Sequence, residues 1–528
     1  MRILILLFSI ICINSLIAID DDNLNEPFHG KTFLAPRSES VNAARELVGW
    51  HRYINQFCQT SYGAFSITPE IKHSFRPARI AEYFFAHDEL IITGSQVANR
   101  NNETQMLADY FGLSPLFQSN VSIKPEIQTE LIDFDVYLGY QDYYFRIHVP
   151  YVWTKWHFKL RETIDPLVPL PGTYPPLYMD TGAVVAPAQS FKQAIAGNLT
   201  WGQVGQGLQF GKINGPRSTS GFAEAQVALG WNFVNNECGH IGLNIRGSIP
   251  AGTRSKAIYL FEPIVGNGHH PELGMGFTGS LLLWEKDGEQ QVTIFSDINI
   301  THLFKSRQRR SFDIVNPIDP QSIFLDFGSR YILAKEFDVA GNYTGLTIPT
   351  INVTTVECDV SVAIQVDAVI MASYEYNNYT VDFGYEAWLR SREMISNREQ
   401  IAHNRYALKG IQNVATGMGL SNATQSTATI FGNNFADQAL VADSNSPVFF
   451  NDSHIDERSA QASLAFTHKL FGNFSYSWDN CSCSYFAQPF FGIGAEFEFE
   501  GLNSRHNTNP NKNSISQWGV WAKGGFGF

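Results

Sequence analysis

A histidine with a serine two positions later would set a base and a nucleophile side by side on one strand face. None of the fourteen histidines has that neighbour, and Gly-x-Ser-x-Gly is absent. Gly274-Met275-Gly276-Phe277-Thr278-Gly279 spells the dinucleotide fingerprint, but Leu281, Leu282, Leu283 and Trp284 continue a strand where that fold requires a helix. His269, His270 and Glu272 have the donor types of a metal site in a loop, and a solvated loop is the simpler reading. These readings point away from an enzyme and imply no cofactor. What remains is charge placed at every second residue: Glu357, Asp359 and Asp367; Asp382, Glu386, Arg390 and Arg392; Lys305, Arg307 and Arg309; Glu496, Glu498 and Glu500. Such spacing puts charges on one face of a strand. A ring of such strands would line a passage and bias which ions enter it.

The elements that must position these charges read as long strands. In residues 356–370, Val356, Cys358, Val360, Val362, Ile364, Val366, Ala368 and Ile370 share one face, while Glu357, Asp359, Ser361, Ala363, Gln365 and Asp367 share the other. A strand of a soluble sandwich averages about 5–6 residues. A tilted membrane strand takes about 9–11, with an apolar outside and a polar inside. The same grammar recurs at 62–75, 121–138, 144–160, 223–233, 240–249, 273–284, 290–309, 379–392, 460–470, 485–500 and 516–528. A phase slip between Leu131 and Ile132 reads as a bulge. Short turns at 141–142, 235–237, 286–288, 377–378 and 479–483 alternate with long connections at 76–120, 161–221, 250–272, 310–354, 393–457 and 501–515. That alternation fits short periplasmic turns and long outer loops, with both termini inside. The count is twelve strands, or fourteen if Arg79–Phe85 and Glu89–Thr93 form another pair.

Composition agrees. Charged residues make up 16% of the chain and the net charge is −13, which argues against nucleic acid as a partner. Arg2, the apolar run from Ile3 to Ile13 and Ala18 before an acidic stretch read as a signal peptide of residues 1–18. Residues 19–60 then read as an N-terminal segment, periplasmic or plugging the barrel, with a helix over Ser38 to Phe57. Residues 61–528 form the barrel with its outer loops. A second helix is expected after the capping-box pattern Ser396-Asn397-Arg398-Glu399. The cysteines have no framework spacing, so their pairing stays open.

Reading back from the end, Phe528, Phe526, Gly524, Ala522, Val520 and Trp518 share one face. This resembles the final strand of bacterial outer-membrane β-barrel proteins, in which a terminal aromatic is read by the barrel-assembly machinery. The resemblance implies that Phe526 and Phe528 carry that signal, with Gly524 departing from the usual bulky residue. Gly30-Lys31-Thr32-Phe33 through Ala43-Ala44-Arg45-Glu46-Leu47 also resembles predicted outer-membrane proteins of unknown function.

The expectation is therefore an all-β transmembrane barrel in the outer membrane of a Gram-negative cell. Its function would be that of a porin-like channel for small hydrophilic solutes, with lumen charge setting selectivity. The alternative is a surface barrel whose loops bind or adhere, with homo-oligomers open in either case. Arg307, Arg309, Arg390 and Arg392 would face the Glu496–Glu498–Glu500 ladder across the mouth, as in general porins. Alternatively Glu357 and Asp359 neutralise those arginines, or the outer basic residues hold lipopolysaccharide phosphates.

Overall fold

The computed structural model describes residues 30–528 apart from 58, 99, 102–103, 169, 180–181, 316–326, 342, 410–446, 479–486 and 502–512. The signal-peptide reading and the 479–483 turn lie outside the described residues. Twelve long strands carry the architecture: β1 (Ser61–Ser74), β2 (Glu126–Tyr140), β3 (Tyr143–His157), β4 (Ala225–Asn236), β5 (Gly239–Ile249), β6 (Glu272–Lys286), β7 (Gln290–Ser311), β8 (Thr355–Tyr376), β9 (Tyr379–Arg390), β10 (Ala465–Ser477), β11 (Gln488–Glu500) and β12 (Gln517–Gly527). Each pairs antiparallel with the next. β12 returns to β1 with Ala64 opposite Gly527 and His73 opposite Trp518. The sheet is closed, which removes every free edge. Twelve strands hold and fourteen do not: Pro77–Phe85 is helix, and Glu89–Thr93 joins a small separate sheet.

The outside of this cylinder is apolar at every second residue. Leu229, Leu243, Ile245, Met275, Ile370, Phe383, Phe474, Ile493 and Val520 are all exposed. Around the end that carries the short turns, Tyr140, Tyr143, Trp231, Tyr376, Tyr379 and Trp478 form an exposed aromatic belt. Aromatic rings collect at this depth because their apolar body and polar edge suit the membrane–water interface. The chain is a transmembrane β-barrel.

Two face assignments need correction. β2 runs from Glu126 to Tyr140 with unbroken alternation and unbroken register against both neighbours, so there is no bulge at Leu131. Leu131 is an apolar residue facing inward, packed with Val152, Ala223 and Val265. Register shifts lie elsewhere, at Asn232/Val234 in β4 and Leu282/Trp284 in β6, and in the β7–β8 ladder between Thr301 and Leu303 and again between Leu303 and Ser306. Those of the β7–β8 ladder matter most here. They invert the phase of β8 along its length. Gln365 and Asp367 point inward, but so do Cys358, Val360 and Val362, each fully buried. Glu357 and Asp359 therefore leave the interior, and Arg307 and Arg309 opposite them do the same.

At the other end the described parts of the long connections do not hang free. They pack into a cap over the mouth, around one apolar cluster that includes Phe84, Ile92, Phe117, Phe191, Tyr331 and Leu333. Small sheets stiffen it, with 89–93 between 105–107 and 118–123, and 333–337 between 343–349 and 406–408. The stretch 121–138 is therefore two strands, the first belonging to the cap. The expected helix after Ser396 is absent from the described residues there. Asn397 and Asn404 adopt left-handed backbone, and Glu399 accepts the Glu357 N–H instead of capping. Burial pushes the Asp109 carboxyl in the cap above its ordinary range, although Ser95 donates to it from both backbone and hydroxyl.

Candidate functional site: a lumen filled by the N-terminal segment

The interior faces of β1, β2, β3 and β8–β12 present ionised side chains, and residues 30–54 run the length of the barrel between them. At the cap, Lys31 N–H donates to Tyr83 O and Thr32 N–H to Ser459 O, both at 2.8 Å. At the short-turn end, Arg52 donates to Asn377 O at 3.0 Å. Along this path the segment forms only one short helix, α1 (Ala43–Leu47), and a 3-10 turn at His51–Tyr53. The expected helix over Ser38 to Phe57 is thus corrected. Asn42 caps its start, Val48 is already extended, and Gly49 takes a left-handed φ of 77° that ends it.

Three arginines of the segment meet six carboxylates of the wall. Arg37 lies 2.9 Å from Asp367, 3.0 Å from Glu498 and in contact with Glu386. Arg45 lies 2.6 Å from Glu70 and 3.0 Å from Asp133. Arg52 lies 2.7 Å from Glu375. The one acidic residue of α1 is matched in reverse: Glu46 faces Arg146 at 3.2 Å, His148 at 3.4 Å and Arg246 at 3.8 Å. Wall charges left over pair with each other, Lys469 with Glu496 at 3.0 Å and Lys72 with Glu496 at 3.3 Å. Charges at this burial persist only when paired and hydrogen-bonded.

Below the ions sits an aromatic collar. Trp50 meets Tyr137 edge-on at 6.4 Å, Tyr53 stacks on Phe490 at 5.4 Å, and Lys523 lies 4.4 Å over the Trp50 ring. His51 has Ser373 Oγ at 3.0 Å and Asp382 at 3.8 Å, the order of a hydrolase triad. Glu375 takes the same ring nitrogen at 3.1 Å, and Ser373 is fully buried, so the group serves as an anchor. Small spaces, no larger than a few waters, remain beside the segment. One lies among Arg37, Glu39, Lys72, Trp156, Trp388 and Glu498. Another lies among Ser40, Gln226, Arg246, Glu272, Gln365 and Asp367.

The charges singled out by spacing are distributed as follows. Asp367, Asp382, Glu386, Glu496 and Glu498 are buried in the interior, and Glu500 sits at the rim with Arg79 at 2.9 Å. Arg390 is buried against Glu393 at 3.6 Å. Arg392 is half-buried beyond the end of β9. Glu357, Asp359, Arg307 and Arg309 are corrected from the interior to the half-exposed outer side, where Arg309 pairs with Glu357 at 3.0 Å and Arg307 with Asp359 at 3.4 Å. This is the neutralising alternative, so these four build no field across the mouth. Phe526 and Phe528 lie exposed on the outer face of the closing strand, and Phe528 exchanges backbone hydrogen bonds with Gly63 of β1. His270 and Glu272 are engaged by Gln308 and Asn267. Sequence reading missed Arg37, Arg45, Glu46 and Arg52 as site residues. The available signal was three arginines at spacings of eight and seven in a segment expected to be an amphipathic helix.

No family model matches the chain, and no curated protein matches it. Solved structures give distant likenesses. An outer membrane channel from Pseudomonas putida F1 is 7% identical, with 88% of this chain and 96% of that chain covered and a TM-score of 0.33. A Pseudomonas aeruginosa FadL homologue is 6% identical over 94% and 98%, with a TM-score of 0.28. The Pseudomonas putida toluene transporter TodX is 8% identical over 94% and 96%, with a TM-score of 0.25. Likeness at this level carries no weight for cargo or mechanism, and the strand count stands on the pairings above.

Proposed function

We propose that this protein is an outer-membrane channel for small hydrophilic solutes, closed at rest by its own N-terminal segment. The observation that carries the reading is the lumen itself: a wall of carboxylates and cations suits water and polar solutes, and Arg37, Arg45 and Arg52 stand in the way. The short turns then face the periplasm and the cap faces outward. Outer-membrane lipids, lipopolysaccharide and the barrel-assembly machinery are the partners this placement requires.

Two measurements test it. In a planar bilayer the native protein should pass little current. Arg45→Gln should open it and shift the reversal potential toward cations, because Glu70 and Asp133 lose their counter-charge. A silent bilayer for both proteins would remove the channel. For orientation, single cysteines at Thr200 and Ala340 in a cysteine-free background should react with a membrane-impermeant maleimide in intact cells. Those at Asn236, Asp287 and Asn377, exposed at the short turns, should react only once the outer membrane is opened. Labelling of position 287 in intact cells would reverse the topology.

The second reading, a surface barrel that binds through its loops, is favoured by one feature: the connections share a core of their own rather than lying loose over the mouth. A native protein that never conducts but whose cap resists protease would move that reading to first place.

A further inference from the structure

The wall of the lumen recognises the segment as a polypeptide and not only as a row of charges. Asp367 and Glu386 accept the backbone N–H groups of Ala43 and Ala44 at 2.9 and 3.0 Å. Asp382 accepts that of Gly49 at 3.2 Å. On the opposite polarity, Lys523 donates to the carbonyls of Arg45 at 2.9 Å and Glu46 at 3.3 Å, and Arg146 donates to Glu46 O at 3.1 Å. Asp367 and Glu386 hold Arg37 as well as the backbone, so a neutral peptide would take from Asp367 its ion-pair partner and leave Glu386, among the described residues, to Lys469 alone. A barrel that needed only to be blocked could be filled by apolar side chains alone; this one adds matched charge to its aromatic collar, which confers selectivity against the wrong occupant. Phe57, where the segment turns toward β1, is exposed at the short-turn rim.

We propose that the lumen is a binding site for a basic polypeptide segment, read through both side chains and backbone, and that residues 30–54 are its displaceable resident. The ligand class is an arginine-bearing peptide whose cations recur at the spacing of Arg37, Arg45 and Arg52. This claim goes beyond the channel reading and is measured without current, so the two stand or fall separately.

The test uses the full-length folded protein with a protease site inserted between Gln59 and Thr60, cut after refolding. A fluorescein-labelled peptide of residues 30–57 is then added and its anisotropy followed. The cut barrel should take up the peptide, and unlabelled peptide should compete for it. The same peptide carrying Arg37→Gln, Arg45→Gln and Arg52→Gln should compete about 100-fold less well or worse. Added salt should weaken uptake of the native peptide. No uptake by a folded cut barrel, or equal competition by the two peptides, would overturn the proposal. So would loss of the heat-resistant barrel on cutting, since the segment would then be a structural strut and not a ligand.

Discussion

Arg45→Gln should lower the stability of the refolded barrel by about 3–5 kcal/mol, the cost of stranding a buried charge when its partner is removed. Arg45 is 1% exposed, with Glu70 and Asp133 against it at 2.6 and 3.0 Å. Its loss leaves, among the described residues, Glu70 with only Lys72, and Asp133 with only His148, each 3.6 Å away and shared with another carboxylate. The triple variant Arg45→Gln, Glu70→Gln, Asp133→Asn should recover most of the loss, because no unpaired charge remains. Denaturant midpoints in detergent micelles decide it: a single substitution costing no more than a surface pair would mean that water fills the lumen around Arg45.

The second large effect separates the two faces of one strand. Ile370 projects outward from β8, 41% exposed, seven residues before Asn377 of the turn. Lysine there sits near the bilayer midplane and should cost about 2–4 kcal/mol in lipid. Gln365, inward on the same strand, looks into the space shared with Glu46 and Asp367, so Gln365→Lys should cost far less. Refolding into vesicles at graded urea compares them. Equal costs would mean that the outer face does not meet lipid.

The same strand shows what period-two reading delivers and where it stops. Alternation says which residues share a face; it says which face is inside only where the two environments differ. Near the short turns they do: Phe383 and Tyr374 meet lipid while Asp382 and Glu375 meet the segment, and here the strand phases were legible. Near the cap both sides are covered by protein. Cys358 and Val360 join the cap core, and Glu357 and Asp359 find arginines outside, so apolar no longer means outward. Leu131 misled for the same reason, being apolar and inward against Val152. The short turns were visible because two extended runs separated by polar residues and Gly leave little choice. The cap was invisible because its core joins residues hundreds of positions apart, such as Phe84 and Phe450, with no repeat to betray them. The segment in the lumen was half visible. Its apolar spacing announced packing, but the walls hold its charges, and those walls come from strands 25 to 461 residues away.

Gly30 lies under the cap so tightly that a β-carbon would fall 2.0 Å from Phe84 O, whereas Ser61 begins β1 at the opposite mouth. The chain therefore passes through its own cylinder once before it starts to build the wall. Such a path places the two ends of the segment at opposite mouths of the membrane-spanning wall. The seam between β1 and β12, with Ala64 opposite Gly527 and His73 opposite Trp518, walls in the residues that precede it in the chain. Any folded domain fused ahead of residue 30 would have to sit on the cap side, and one too wide for the cylinder would keep the segment from its place in the lumen.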